Sequence, residues 1–450
     1  MIRYHAAWVV PISSPPIAGG VVAVDADRIA YVGPADEAPA GSDEPLGDVI
    51  LMPGLVNAHC HLELTAMRGF LEDVEFRRWI LRLTAARSAV LDRDALLDSA
   101  RYGLEEGVGA GITTYADTCE SGVVMQAMRE AGVRGVMYQE VFGPDPAKCD
   151  ESMRALRERV AGLRYLETPL VRVGVSPHSP YTVSDDLFRA TTALARELHA
   201  PMAIHIAESA LEHELIVSGS GGFADGLRRR GITVAPRGRT PIALLDSLGV
   251  LGARPLLIHC VRVDEGDVDA IAAARCGVAH CPASNAKLGH GIAPVDELLA
   301  AGIPVGLGSD SMASNNRMDI LDEARLALLA QRARLGSHET PDAAEVLEMA
   351  TIGGAAAIGL DDAIGTLEPE KQADLAAFAI DRNRPTFDPV TTAVFSITGG
   401  AARFVTVGGR VLVRGGALVA PKAGLAERME SLGGALADWL ESGGELAGPV

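Results

Sequence analysis

This 450-residue chain lacks long apolar runs: no stretch approaches the roughly 20 residues that a membrane-spanning helix needs. Positive charge is scarce as well, because 40 Lys and Arg face 59 Asp and Glu, for a formal net charge of −19. Nucleic acids and anionic membranes both require a positive surface, so neither is an expected partner. The first residues, 1–16, are too short and interrupted for a signal peptide.

Cysteines and aromatic residues are also few. The six cysteines form no CxxC pair, and such a small number in a chain of this length is no disulfide framework. They indicate buried thiols in a reducing compartment, and therefore a cytoplasmic protein. Aromatic residues make up 4% of the chain, which favours tight loops and closely packed helices over an aromatic-lined binding surface.

Short strands are predicted at both ends of the chain. The patterns that indicate them lie at 3–12, 20–33, 373–381 and 403–416. Neither end has enough strands to bury a core alone, so we expect 1–52 and 365–422 to meet in one small β-sandwich or sheet. Residues 423–450 are predicted to form a C-terminal helix and tail.

Between these ends, short apolar runs alternate with longer amphipathic segments. Eight runs fit strands, at 51–61, 111–117, 133–139, 171–178, 201–208, 255–261, 277–282 and 303–310. Helical patterns lie between them, for example at 92–107, 184–199 and 264–275. The alternation predicts an α/β fold, with 53–364 as a closed (β/α)₈ TIM barrel. An open doubly wound sheet is the alternative, but no Gly-rich phosphate loop follows the first strand.

Histidines gather at the predicted strand ends, where the active site of such a barrel lies. They are His59 and His61 on strand one, His178 on strand four, His205 on strand five, His259 on strand six and His280 on strand seven. The period of two places His59 and His61 on one side of their strand. With His205 and Asp310, which ends strand eight, they suit zinc or ferrous iron and leave a position for water.

Competing interpretations exist for several of these residues. Cys60 and Cys260 flank histidines, so a Cys/His zinc site is one alternative, although strand alternation aims both thiols at the outer helices. His280 fits a support for the loop that follows it, and Asp117 and Glu140 fit caps or salt bridges. The histidines predicted to be surface or packing residues are His5, His199, His213, His290 and His338.

Five segments resemble the cytosine-deaminase-like branch of the amidohydrolase superfamily, which includes adenosine-derivative, guanine and cytosine deaminases and triazine hydrolases. They are VNAHCHLE (56–63), HIAES (205–209), LIHC (257–260), HCPASNAKL (280–288) and GLGSDSMASNN (306–316). The segments MPGLVNAH and GTLEPEKQADLAAF also match how this family enters and leaves its barrel. The resemblance implies a small heterocyclic substrate and a homodimer or larger homo-oligomer.

The resemblance implies roles for the matched residues. The metal ligands would be His59, His61, His205 and Asp310, holding one divalent ion, zinc or alternatively Fe²⁺. Binuclear relatives bridge their metals with a modified Lys near the end of strand four, where this chain has His178, so a single ion is expected. Glu208 would carry protons, and His259 would either support a metal ligand from behind or hydrogen-bond the transition state. Asp310 would accept a proton and His178 would contact the substrate.

The same resemblance bears on the substrate. MRGFLEDVEFRRWI (67–80) with His178 resembles methylthioadenosine/S-adenosylhomocysteine deaminases and would place Trp79 against the substrate. Those enzymes carry a ribose-binding Glu a little further on, where this chain has no acid. AESALEHELIVSGSGGF (207–223) and the helix after Trp79 resemble aminodeoxyfutalosine deaminases, whose substrate carries a carboxylate. Arg82 or Arg87 would meet that carboxylate, or both would be solvated residues of the helix face.

Hydrolytic deamination of an amino-substituted nitrogen heterocycle, above all a 6-aminopurine nucleoside, is the predicted reaction. The alternatives are loss of chloride or an amine from a triazine-like ring, and deamination of guanine, cytosine or a pterin. Relatives that remove halide tend to have replaced the proton-carrying Glu, which this chain keeps as Glu208. A barrel retained only for binding would be expected to lose metal ligands, and all four are present.

Overall fold

The computed structural model describes residues 1–397 and 402–444, which form two groups of strands with helices around them. The strands are β1 (Ile2–Val9), β2 (Ile17–Ala18), β3 (Gly20–Asp25), β4 (Arg28–Pro34), β5 (Ser42–Pro53), β6 (Leu55–His61), β7 (Ile112–Cys119), β8 (Arg134–Val141), β9 (Val171–Pro177), β10 (Ala203–Ile206), β11 (Leu256–His259), β12 (Val278–His280), β13 (Val305–Leu307), β14 (Asp310–Ser311), β15 (Leu375–Ala379), β16 (Phe404–Val407), β17 (Arg410–Arg414) and β18 (Ala417–Leu418).

The helices fill the connections between these strands. They are α1 (Phe76–Val90), α2 (Arg93–Gly109), α3 (Val123–Ala131), α4 (Cys149–Arg164), α5 (Asp185–Leu198), α6 (Ala210–Ser218), α7 (Gly221–Arg229), α8 (Pro241–Ser247), α9 (Glu265–Ala274), α10 (Pro282–Lys287), α11 (Val295–Ala300), α12 (Met312–Asn315), α13 (Ile320–Leu335), α14 (Ala343–Met349), α15 (Ile352–Ala357), α16 (Pro389–Phe395) and α17 (Leu425–Glu441). The predicted helices at 92–107, 184–199 and 264–275 are confirmed as α2, α5 and α9. The predicted C-terminal helix is α17, while residues 445–450 of the predicted tail lie outside the described residues.

Both ends of the chain contribute to one nine-stranded sheet, in the order β18-β17-β16-β15-β5-β1-β3-β4 with β2 on β1. The predicted meeting of the two ends is therefore confirmed, and its junction is the antiparallel pairing of β5 with β15. The rings of Tyr4 in β1 and Phe404 in β16 lie 4.9 Å apart. Three strand spacings separate them in a flat sheet, about 14 Å, so the sheet curls.

The middle of the chain forms parallel strands in sequential order. β6 to β9 pair in one series and β10 to β13 in another. A parallel bridge between Val175 and Met202 links β9 to β10, and β14, which follows β13, pairs with β6. Neighbouring strands therefore follow one another from β6 to β13, and β14 then pairs with β6, the first strand of the series. β7 and β8 are buried along their whole length, as parallel strands covered on both faces are.

Strand one differs from its prediction, which placed a single strand over 51–61. Residues 51–53 belong to β5 of the terminal sheet, and β6 begins at Leu55. Pro53 has no backbone N–H to continue a ladder, and a Cβ on Gly54 would overlap the side chain of Thr113. This Pro-Gly pair therefore ends one sheet and starts the other.

A buried ion pair joins the parallel strands to the terminal sheet. Arg134, the first residue of β8, donates from Nε to Asp374 Oδ2 at 2.7 Å and from Nη2 to Oδ1 at 3.0 Å. Asp374 also accepts at Oδ1 from Gly408 N, in the β16–β17 turn, and its carbonyl accepts from Gly54 N. Asp374 thus connects three segments that are distant in sequence, two through its carboxylate and one through its backbone carbonyl.

No helix within 1–397 and 402–444 combines the length and apolarity needed to cross a membrane.

Removing the Arg134 side chain should destabilise the fold strongly. In Arg134→Ala, Asp374 stays buried without its cation, and breaking a buried pair costs about 3–5 kcal/mol. Urea titration should show this loss in the free energy of unfolding. The matched control is Arg157→Ala, because the Arg157–Glu197 pair is about half exposed and should contribute about 0–1 kcal/mol. Equal losses in the two variants would contradict the prediction.

Candidate metal centre and active site

Four side chains from three strands converge at the carboxyl ends of the parallel strands. Nε2 of His61 lies 3.3 Å from Nε2 of His205, and Asp310 Oδ1 lies 3.3 Å from His59 Nε2 and 3.6 Å from His61 Nε2. Ligands bound tetrahedrally to zinc at about 2.0–2.2 Å are about 3.3–3.6 Å from one another. These three distances match that spacing, and His59, His61 and His205 also present ligand atoms within 4.8 Å of one another.

The protonation states of these donors also suit a cation. His59 is fully buried, and neither ring nitrogen has a hydrogen-bond partner in the described part of the chain. Burial lowers the pKa of His59 to about 4 and that of His205 well below its ordinary value, so both imidazoles are neutral at pH 7. For Asp310, burial acts to raise the pKa, but the neighbouring His59 outweighs it and the net pKa is low. Neutral imidazoles and an ionised carboxylate are the forms that bind a divalent metal.

Surrounding polar groups orient the four donors. Asp310 Oδ2 accepts hydrogen bonds from the Ser284 hydroxyl at 2.5 Å and the Ser314 hydroxyl at 3.0 Å, and Oδ1 accepts from Ser311 N at 2.7 Å. His61 Nδ1 lies 3.2 Å from Thr118 Oγ1. Such contacts fix ring orientation and carboxylate rotation, which tunes a metal ligand.

The backbone at these strand ends is strained. Ala207, His259, Cys260 and Asp310 have φ values of 52°, 80°, 45° and 53°, in the left-handed region that non-glycine residues avoid. Each such residue costs about 1–3 kcal/mol and persists only where the surroundings impose it. The strands therefore end in sharp local turns that aim the site residues inward.

Glu208 lies just beyond β10 in a firmly held turn. The Glu212 carboxylate accepts from Ala207 N at 2.9 Å and from Glu208 N at 2.8 Å. Burial acts to raise the pKa of Glu208, but His259 and His290 together outweigh it, and the net pKa is lowered. His259 Nε2 lies 3.6 Å and His290 Nε2 3.3 Å from Glu208 Oε1. The carboxylate thus sits between two imidazoles.

His259, at the end of β11, is almost fully buried and faces both Glu208 and the four donors. Its Nδ1 lies 3.0 Å from Asn285 Oδ1. His259, His59 and Asp310 each present a ligand atom within 4.8 Å of the others. His259 is therefore placed to reach an atom bound between Glu208 and the metal donors.

An arc of aromatic rings borders this site, contrary to the expectation from the low aromatic content. Starting at His290, consecutive rings have centroids 4.3–6.2 Å apart, and the arc ends beside His205. Its members are His290, Phe76, Phe223, Tyr181 and His178, and the Phe142 ring lies tilted with its centroid 4.8 Å from that of His178. Aromatic side chains thus line one side of this site even though they are few in the chain as a whole.

The sequence model of the amidohydrolase family matches residues 50–412. The chain belongs to the amidohydrolase family. A 5-methylthioadenosine/S-adenosylhomocysteine deaminase from Moorella thermoacetica is 34% identical over 421 residues, covering 91% of this chain and 93% of that protein. A 5'-deoxyadenosine deaminase from Methanothermobacter thermautotrophicus is 34% identical over 423 residues, covering 90% and 93%.

Solved structures show the same likeness along nearly the whole chain. An adenosine deaminase from Xanthomonas campestris with bound zinc has a TM-score of 0.87 and 27% identity, covering 97% of this chain and 98% of that one. Atrazine chlorohydrolase from Arthrobacter aurescens, complexed with zinc, has a TM-score of 0.83 and 26% identity, covering 97% and 100%. The amidohydrolase described here therefore has structural relatives of both reaction types considered from the sequence.

The residues predicted to contact substrate take different positions in this amidohydrolase. His178 lies in the aromatic arc, its Nδ1 near the hydroxyls of Ser179 and Thr182. Trp79 is buried on α1, 6.4 Å from Phe76, and its Nε1 lacks a hydrogen-bond partner within the described residues. Arg82 is partly buried on the same helix.

Arg87 is held by two carboxylates. Its Nη2 donates to Glu63 Oε1 at 2.9 Å and its Nη1 to Glu120 Oε2 at 2.7 Å. Glu63 is itself buried and accepts from the Cys119 thiol. Arg87 is therefore not a solvated residue of the helix face, which was one of the two alternatives from the sequence. Its contact with a substrate carboxylate stays a prediction.

Asp117 and Glu140 lie at the ends of β7 and β8. Asp117 Oδ2 accepts from Leu62 N at 2.6 Å and so caps the 3₁₀ turn Leu62–Met67, as predicted. Glu140 has no such contact at Oε1, which is buried without a partner among the described residues. Burial raises its pKa well above the ordinary value. Glu140, His178 and His205 present ligand atoms within 4.8 Å of one another, so Glu140 adjoins the site.

The competing cysteine site finds no support. All six cysteines are free, and the groupings of potential ligands found in 1–397 and 402–444 contain none of them. The Cys60 thiol points to Asp117 instead, with Sγ 3.5 Å from Oδ2. His280 is buried with both ring nitrogens unpartnered in the described chain, and burial lowers its pKa to about 3.

His290 is the site residue that the sequence analysis missed, having been predicted only as a surface or packing residue. It does pack, edge-on against Phe76, but it also contacts Glu208. The sequence offers one signal in retrospect, because His290 lies in the same loop as the recognised HCPASNAKL segment, flanked by two glycines.

Replacing Glu212 should loosen the turn that carries Glu208. In Glu212→Gln one oxygen becomes an NH₂ group that faces a backbone N–H, and an unsatisfied buried donor costs about 1–3 kcal/mol. We expect that loss in urea unfolding, together with lower turnover because Glu208 is less firmly placed. Glu214→Gln, on the same helix and bonded to Ser220, is the control. Wild-type stability in the Glu212 variant would disprove this role.

Proposed function

We propose that this amidohydrolase is a metal-dependent deaminase that hydrolyses the amino group of a 6-aminopurine nucleoside derivative and releases ammonia. The observation that carries this proposal is the convergence of His59, His61, His205 and Asp310, with neighbouring donor atoms 3.3–3.6 Å apart, beside Glu208 and His259. The deaminase relatives, about a third identical over some nine-tenths of the chain, support the adenosine-type substrate class. Methylthioadenosine, S-adenosylhomocysteine and aminodeoxyfutalosine are its candidate substrates.

His59, His61, His205 and Asp310 would hold a single divalent ion, which we propose is zinc, with Fe²⁺ as the alternative. Two unpartnered nitrogens on the buried ring of His59 support this assignment, since a cation would satisfy one of them. When bound, such an ion lowers the pKa of a coordinated water from 15.7 to about 7 and so supplies hydroxide at neutral pH.

The proposed proton movements involve Glu208 and Asp310. Glu208 would take up a proton before attack and deliver it to the ring nitrogen next to the carbon under attack. Protonation makes that carbon electrophilic, and a well-placed proton transfer contributes on the order of 10²–10⁴ in rate. Asp310 would accept the proton released by the attacking water and pass it to the departing amino group, and the proton left on the new oxygen would return to Glu208. Loss of ammonia then leaves a carbonyl on the ring.

His259 would hydrogen-bond the oxygen that develops on the attacked carbon, as preorganised donors do. With Asn285 Oδ1 accepting from Nδ1, Nε2 can donate only if the ring is protonated. Nε2 lies 3.6 Å from Glu208 Oε1, on the side of the ring proposed to meet that oxygen.

The substrate ring would lie along the aromatic arc, with His178 and Trp79 as its contacts. A carboxylate on the substituent would meet Arg82 or Arg87, which would favour aminodeoxyfutalosine. For Arg87 this contact would replace at least one of its pairs with Glu63 and Glu120.

A triazine hydrolase is the second candidate function, because the fold is shared with atrazine chlorohydrolase. The same donor set would serve both reactions, and the presence of Glu208 favours deamination. Guanine, cytosine and pterins remain candidate deaminase substrates. Chloride release from a chlorotriazine without ammonia release from any aminopurine would favour this second function.

We also propose a finer description of the fold. The ring of pairings from β6 through β13 and back through β14 supports a closed (β/α)₈ barrel over 53–364. The contact between Tyr4 and Phe404 supports a sandwich-like closure of the terminal sheet, formed by 1–52 and 365–422. The segment 423–450 would then be a C-terminal appendage. A cytoplasmic homodimer or larger oligomer is the proposed form, and six free cysteines fit a reducing compartment.

Ammonia release from a substrate panel tests the proposed function. The panel contains adenosine, methylthioadenosine, S-adenosylhomocysteine, aminodeoxyfutalosine, guanine, cytosine, a pterin and a chlorotriazine, with metal content measured alongside. We expect ammonia from at least one adenine nucleoside, about one zinc or iron ion per chain, and loss of activity after chelation. The Asp310→Ala variant should lose both metal and turnover. A fully active chelated enzyme would refute the proposal.

The role of Glu208 has its own test. Glu208→Gln should keep its metal and lose turnover by about 10²–10⁴-fold, because the amide cannot carry the proton. Glu214→Gln, on α6 and away from the imidazoles, should turn over like the wild type. Near wild-type kcat in metal-loaded Glu208→Gln would rule out the proton-carrying role.

A further inference from the structure

His290 occupies a buried position between Glu208 and helix α1. It lies in the loop between α10 and α11, and only 4% of the residue is exposed. Its Nε2 is 3.3 Å from Glu208 Oε1, while its ring meets the Phe76 ring edge-on with centroids 4.3 Å apart. Nε2 makes no completed hydrogen bond within the described residues, and the Glu208 carboxylate is the acceptor it faces.

The backbone of His290 is anchored to the other imidazole that faces Glu208. His290 N donates to Asn285 O at 2.8 Å, and Asn285 Oδ1 lies 3.0 Å from His259 Nδ1. The His290 carbonyl accepts from Arg262 Nη2 at 3.3 Å. Asn285 therefore sets the separation of the two rings between which the Glu208 carboxylate lies.

The imidazoles of His259 and His290 have different roles in the proposed reaction. His259 Nε2 is assigned to the oxygen that develops on the substrate, so it is not free to hold Glu208 at that moment. Glu212 fixes only the backbone of Glu208, through its N–H. A carboxylate with a fixed backbone still has several side-chain rotamers, and proton transfer needs heavy atoms at about 2.6–3.2 Å. A second donor to the carboxylate is therefore required.

We propose that His290 is a positioning residue that holds the Glu208 carboxylate in its proton-transfer orientation and ties it, through Phe76, to helix α1. This inference rests on the proposed function, because it assigns a partner to the proton carrier. Helix α1 carries Trp79, the proposed substrate contact, so His290 connects the substrate-binding helix to the group that protonates the substrate.

A purely packing role predicts something different. A residue that only fills the space beside Phe76 can be replaced by another ring without effect on the reaction. A residue that donates a hydrogen bond to the carboxylate cannot be replaced in this way. Such a charge-assisted hydrogen bond is directional and roughly twice as strong as a neutral one. The nitrogen, rather than the ring, is the feature to test.

Three substitutions separate the nitrogen from the ring. His290→Phe keeps a ring against Phe76 without a donor, His290→Gln keeps a donor without the ring, and His290→Leu has neither. Each is assayed for kcat and KM with the best panel substrate, with metal content and thermal unfolding midpoint measured in parallel. His5→Phe, which alters an exposed imidazole paired with Asp43 far from the site, is the control.

The expected result is a fall in kcat of about 10- to 100-fold for the Phe and Leu variants, the loss of one hydrogen bond to a charged group. KM should stay within about threefold, metal content should be unchanged, and the Gln variant should recover most of the kcat. Wild-type kcat in His290→Phe, or equal losses in the Gln and Phe variants, would overturn the proposal. If the Phe variant is unstable, the comparison of Gln with Leu decides in the same way.

Failure of this inference is distinguishable from failure of the proposed function. A wild-type enzyme that releases no ammonia from any panel member refutes the function itself. A wild-type enzyme that does so, with His290→Phe equally active, refutes only the positioning role.

Discussion

Three imidazole nitrogens and one carboxylate oxygen, which converge at the strand ends with neighbouring donors 3.3–3.6 Å apart, are the constraint on which the other features of the site depend. Each group is costly to bury alone, and the low pKa values of His59 and His205 reflect that cost. Bringing them together requires strand ends that lie side by side, which sequential parallel strands supply. It also requires turns that aim the side chains inward, and Ala207 and Asp310 accept left-handed backbone conformations to do so.

The polar residues around the donors follow from the same constraint. A strained turn persists only if other contacts fix it, and these contacts are made by side chains that are themselves buried. Glu212 holds the backbone beside Glu208, Ser284 and Ser314 hold Asp310, and Asn285 connects the two imidazoles that face Glu208. Burial raises the pKa of Glu212 to about 8, a penalty accepted because its oxygens satisfy two backbone N–H groups.

Much of the framework could be predicted from the sequence because it depends on local periodicity. Apolar runs alternating with amphipathic segments predicted strands separated by helices, and the spacing of two in His59 and His61 predicted a shared side. Other features depend on contacts between residues far apart in the chain. The break at Pro53 and Gly54 separates two sheets that no local pattern distinguishes, and the ion pairs of Arg87 join α1 to segments after β6 and β7. His290 was missed for this reason, since only the tertiary fold brings it to Glu208.

The aromatic arc suggests how one metal site could serve different substrates in related enzymes. The metal donors come from strands, whereas the arc comes from helices and loops inserted after them: Phe76 from α1, Phe223 from α7, and Tyr181 and His290 from loops. Relatives of this fold include adenosine-type deaminases and a chlorohydrolase, so the frame itself does not determine the leaving group. In the proposed function Glu208 would supply the proton and the inserted rings would meet the substrate. His290 belongs to both sets, because one edge of its ring meets the arc and the other meets Glu208.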